Sequence, residues 1–115
     1  MREHEMILRN LDAKLDVIGR LWARPGFAGD INGRTYVIAD FFHDALEAAQ
    51  AINLNGEAYK QLHKGLFERL NDFRRYVNEV EIMNAIEQME SGVSLDDIVW
   101  NSKPVYGWTG TEGQS

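Results

Sequence analysis

Asp40, His43, Asp44 and Glu47 fall within eight residues of one another in the stretch IADFFHDALEAA. In a helix, steps of three and four residues place such side chains on one polar face. A carboxylate three residues before a histidine can chelate a divalent cation. Asp40, His43 and Asp44 are therefore the candidate metal ligands. The bland alternative is a solvated helix face, because helical di-metal sites draw matching ligands from other helices. The only other histidines are His4 and His63.

The dipeptide His43-Asp44 resembles the pair around which HD-type metal phosphohydrolases are built. Those enzymes add an upstream histidine and a downstream aspartate, parts that His4 and Asp96 or Asp97 could fill, though in weak surroundings. The resemblance implies metal-dependent phosphoester hydrolysis. It rests on two residues, and that fold uses more helices than this chain supplies. Glu87-x-x-Glu90 could open an acidic magnesium site of the all-helical nucleotide-hydrolase type, but the second acidic pair is missing. Asp30 and Asn32 fail as a calcium loop, since the glycine falls two positions early and no glutamate closes it. No phosphate-binding glycine motif and no nucleophile elbow occurs.

A second constellation surrounds the loop GFAGDINGR. Arg20, Arg24 and Arg34 bracket it, with Trp22, Phe27 and Tyr36 alongside. Guanidinium groups, aromatic faces and free backbone N–H groups suit a nucleotide or another anion. Arg24, Arg34 and Tyr36 are the candidate ligands for it. Helix-end bases and loop-anchoring aromatics are the plainer reading.

The charges downstream are sorted. Residues 60–75 hold Lys60, Lys64, Arg69, Arg74 and Arg75 against Glu68 and Asp72. Residues 79–97 hold Glu79, Glu81, Glu87, Glu90, Asp96 and Asp97 and no base. Acids near a helix C-terminus oppose its dipole, so local helix stability does not explain the pattern. Two copies laid antiparallel would set basic half on acidic half under a twofold axis. Arg69, Arg74, Arg75, Glu79, Glu87 and Glu90 are thus candidate partner contacts. Tyr106 and Trp108, in a glycine-rich C-terminal stretch, join them as aromatic anchors. They could equally fold back onto the chain's own apolar surface.

The elements that carry these residues follow from periodicity. Leu8, Leu11, Leu15, Ile18 and Trp22 recur at steps of three and four, predicting a helix over 2–23 that Arg24-Pro25-Gly26 ends. A helix over 35–53, with Thr35 as N-cap, is favoured over a short hairpin near 27–38 announced by Asn32-Gly33. From 57 to 90 apolar residues continue without proline. One helix of that length would reach about 50 Å, longer than a globule of this size, so it must bend near Gly65 or Asn78, or project and find a partner. Ser94 to Asp97 resembles a capping box opening a short helix to Trp100. The expected core is Leu8, Leu11, Leu15, Ile18, Trp22, Ile38, Phe42, Leu46, Leu62, Leu66, Leu70, Phe73, Val77 and Val80.

The whole composition sets the outer bounds. The chain has 115 residues, 18 acids against 12 bases, a formal charge of −6 and no cysteine. That excludes disulfides, thiolate nucleophiles and zinc–thiolate sites, and it fits a cytoplasmic setting. Net acidity argues against general DNA or RNA binding. Nothing resembles a secretory signal or a membrane span. The expectation is an all-α bundle of three main helices plus a short C-terminal one, with one domain over 1–100, a flexible tail over 101–115 and assembly as a homodimer. No catalytic set or cofactor is expected beyond the metal considered above. The functional expectation is a non-enzymatic protein that occupies a surface of a protein partner, of the regulator or inhibitor type that phages also encode.

Overall fold

A computed structural model describes residues 2–27 and 29–100. It contains α1 (Glu3–Trp22), α2 (Ile31–Ala51), α3 (Gly56–Asn71) and α4 (Glu79–Glu90), followed by a single 3₁₀ turn at Leu95–Asp97. Among the described residues there is no strand, so the hairpin alternative near 27–38 is set aside. No described helix is long and apolar enough to cross a membrane. Tyr106 and Trp108 lie outside the described residues.

The seam of α1 does what its spacing requires. Ile7, Leu11, Leu15 and Trp22 are buried, with Leu8 and Ile18 packed at the margin. At the start, the Glu5 carboxylate accepts from the Arg2 backbone N–H. At the end, Gly26 adopts φ +82°, which frees the chain to turn back.

α2 begins four residues earlier than the spacing predicts. The Asp30 carboxylate accepts from the Gly33 N–H at 3.0 Å and caps the helix, so Asn32-Gly33 forms its first turn rather than a hairpin. Thr35, the expected cap, lies inside the helix and is only 2% exposed. Its hydroxyl donates to Ile31 O and accepts from the Asn78 N–H at 2.7 Å.

The stretch 57–90 is two helices, so of the alternatives for it the bend holds, with Asn78 rather than Gly65 at the break. Neither proline nor glycine marks the break. The connector 72–78 keeps the apolar spacing because its own Phe73 and Val77 are buried. Trp22 gathers them: its ring centroid lies 5.8 Å from Phe73, 5.7 Å from Tyr76 and 6.4 Å from Phe27. The backbone tightens to i→i+3 bonds at Asp72, Phe73 and Tyr76. Arg34 Nε donates to the freed Tyr76 carbonyl at 2.6 Å. Asn78 then caps α4 by accepting from the Glu81 N–H. Gly65, the other candidate bend, lies mid-helix. A Cβ there would sit 2.5 Å from Leu8 Cδ1, so the glycine lets α1 and α3 approach closely.

The break also resets the helical register. α4 buries Ile82, Ala85, Ile86 and Met89, none of them in the expected core, and leaves Val80 67% exposed. The C-terminal helix is shorter than expected, ending at Asp97, with Ser94 Oγ donating to Asp97 Oδ2 at 3.0 Å. Ile98 after it is buried.

Contact registers fix the directions. α1 and α2 run antiparallel, with Lys14 paired to Asp44 and Ile7 near Ala48. α1 and α3 run parallel, matching Leu8 to Gly65, Asp12 to Arg69 and Gly19 to Phe73. α2 and α4 are also parallel, matching Thr35 to Asn78 and Leu46 to Met89. The cyclic order is α1–α2–α4–α3, closed where His63 of α3 meets Glu90 of α4 at 2.8 Å.

Thr35→Val keeps the shape of the side chain but strands the Asn78 N–H. It should lower the unfolding free energy by about 1–3 kcal/mol, read by urea denaturation, whereas an unchanged midpoint would show that this contact does not hold the connector.

Candidate binding surface

α3 exposes Lys60, Lys64, Phe67 and Glu68 along one strip. α4 exposes Val80, Met83, Glu87 and Glu90 along another. The two helices meet at the His63–Glu90 contact rather than along a packed seam. Glu90 Oε2 meets His63 Nε2 at 2.8 Å, and the His63 ring stands between Tyr59 (4.8 Å) and Phe67 (6.4 Å). Burial, and then the nearby Glu90 charge, push the Tyr59 phenol above its ordinary value. One side of the bundle therefore carries a basic strip, an acidic strip and a line of apolar side chains. Phe67 is 38% exposed, Met83 45% and Val80 67%. Among the described residues, Lys60, Lys64 and Glu87 form no ion pair within the chain.

The expected partner contacts divide between this side and the rest of the fold. Glu87 and Glu90 lie on it, and Glu79 is half-buried in the first turn of α4. Arg74 and Arg75 are exposed on the connector at its upper end, with the Arg75 guanidinium 5.9 Å from the Tyr76 ring centroid. Arg69 is placed elsewhere. It binds both oxygens of Asp12, at 2.6 and 2.9 Å, and holds α3 to α1. The Asp12 hydrogen bond raises the Arg69 pKa further. Glu81, counted among the sorted acids, is buried. The charge asymmetry of the surface is therefore smaller than that of the sequence: α4 stays acidic, whereas Lys60 and Lys64 on α3 are matched in number by the exposed Glu57 and Glu68.

The metal candidates do converge. Asp40, His43 and Asp44 each bring one donor atom within 4.8 Å of the others. All three lie on α2, where their i, i+3 and i+4 spacing alone brings them close. Two have neighbours already: Asp44 Oδ2 takes Lys14 Nζ at 3.1 Å, and His43 Nε2 lies 3.7 Å from Glu47. His4 lies in the crevice of α1 and α3, beside Glu57 and Gln61. His43 lies in the crevice of α2 and α4, beside Met89 and Ser94. The upstream histidine of the HD-type arrangement is therefore on a different side of the bundle. Asp97 is engaged by Ser94.

Of the anion candidates, Arg34 is committed to the fold. It donates to Gly29 O and Tyr76 O, and its guanidinium carbon lies 5.7 Å from the Phe27 ring centroid. Tyr36 is exposed on α2, and Arg24 is exposed in the turn after α1.

The sequence reading missed Phe67 as a surface residue and placed Val80 in the core. For Val80 the signal was Asn78, a residue that caps helices well, while Phe67 lies off the Leu62, Leu66 and Leu70 stripe of its own helix. Comparison with family models, with curated proteins and with solved structures gives no match for this chain.

Proposed function

We propose that this protein is a non-enzymatic helical binding protein, of regulator or inhibitor type, that acts by covering a surface of a macromolecular partner. The observation that carries this reading is the α3–α4 side, where Phe67, Val80 and Met83 are exposed beside Lys60 and Lys64 on one helix and Glu87 and Glu90 on the other. An apolar line inside a charged frame is the usual anatomy of a protein contact: the centre supplies desolvation energy and the rim supplies orientation. Exposed ion pairs contribute little to folding, so charges sorted this way have more to offer a partner than the fold itself.

Met83→Asp tests the reading, because it places a charge in the middle of the apolar line at an exposed position. Immobilised wild-type protein should retain a stoichiometric partner from an extract of its source cells, and the variant should lose at least ten-fold of that retention. Retention of nothing by the wild type, or equal retention by both forms, overturns the proposal.

The convergence of Asp40, His43 and Asp44 favours a second reading, a divalent-metal phosphohydrolase site on α2. Under this reading, equilibrium dialysis against Mn²⁺ or Zn²⁺ yields one ion per chain, and His43→Ala abolishes it together with any phosphatase activity. A wild-type protein that leaves dialysis free of metal rejects it.

A further inference from the structure

The geometry points to a second copy of this chain as an occupant of the α3–α4 side. This inference rests on the reading of that side as the binding surface and names a partner for it. The argument is one of symmetry and charge. α3 and α4 are antiparallel neighbours, joined by the connector 72–78 and closed by the His63–Glu90 contact. A twofold axis parallel to the helices and lying across this side sets α3 of one protomer over α4 of the other.

Lys60 and Lys64 of each copy then face the lower, acidic half of the opposite α4, at Glu87 and Glu90. Phe67 and Met83 occupy the middle of both halves. The pairing occurs twice, because the axis exchanges the strips. The alternative twofold, perpendicular to the helices, would stack α3 on α3 and α4 on α4. That reverses the helix ends and takes Lys60 and Lys64 away from Glu87 and Glu90 of the other copy, so the lysine–glutamate pairing selects the first arrangement.

Size decides the strength of the pair. α3 is about 24 Å long and α4 about 18 Å. Two helices side by side are about 20 Å wide. The face projects roughly 400 Å² per copy, which belongs with weak, reversible interfaces rather than obligate ones. The dimer is therefore concentration-dependent and sensitive to salt, since its charges are exposed.

Sedimentation equilibrium or light scattering of the full chain tests this. The wild type should shift from monomer to dimer as concentration rises into the hundreds of micromolar at low salt, and the dissociation constant should rise at least five-fold in about 0.5 M NaCl. Glu87→Lys should be monomeric over that range, and so should Lys60→Glu combined with Lys64→Glu. Mixing the two variants should restore association, because a mixed pair has attractive contacts on both sides of the axis. All the substituted residues are exposed, so circular dichroism should confirm that each variant folds.

A wild type that stays monomeric at low salt, or a mixture that fails to associate, overturns the self-pairing. Failure here with a Met83-dependent foreign partner still captured would leave the binding reading standing. Association without any captured partner would do the reverse.

Discussion

The first turn of α2 holds the connector between α3 and α4, and the arrangement of the other helices follows from that grip. Arg34 takes the Tyr76 carbonyl and the Thr35 hydroxyl takes the Asn78 N–H, two backbone groups that lose helical partners where the chain bends. A buried backbone group without a partner costs about as much as a lost hydrogen bond, so a break inside a core is tolerated only where such partners exist. Trp22 completes the clamp by filling the space beneath Phe73 and Tyr76. A helix that would run about 50 Å as a straight rod is thereby folded into two shorter ones. The basic and acidic halves of that stretch come to lie side by side on one subunit.

That outcome changes the basis of the partner argument. Excess length no longer calls for a second chain, because the two halves are accommodated within one protomer. What remains is a surface: α3 and α4 meet directly through His63 and Glu90, while Lys60, Lys64 and Glu87 stay exposed and, among the described residues, without ion pairs. Val80 and Met83 face outward because α4 restarts in a new register after Asn78. Folding and surface chemistry thus share one cause.

The sequence was most readable where one spacing ran through a whole element. Leu11, Leu15 and Trp22 of the α1 seam and the α2 face of Ile38, Phe42 and Leu46 are buried as their periodicity requires. It was least readable at 72–78. Asn78 marks the break locally, but Phe73 and Val77 continue the apolar rhythm up to it, and the partners that hold it, Trp22, Arg34 and Thr35, lie in α1 and α2, far away in the sequence. The uninterrupted rhythm points Val80 into the core, whereas α4 in its own register buries Ile82, Ala85 and Ile86. Asn32-Gly33 illustrates the converse. Its hairpin chemistry is real, but Asp30 caps the helix first. At the candidate sites, spacing alone found the convergence of Asp40, His43 and Asp44. It could not tell that Arg69 and Arg34 are spent on holding the fold together.

The direct test of this account is the distance between the start of α3 and the end of α4. The chain has no cysteine, so Glu57→Cys and Ser91→Cys can carry a single pair of spin labels, diluted into excess unlabelled protein to suppress contacts between copies. Pulsed electron–electron resonance should give one narrow distribution below about 25 Å, as expected for antiparallel helices packed side by side. A distribution centred near 50 Å, the length of an unbroken helix over those residues, would contradict it.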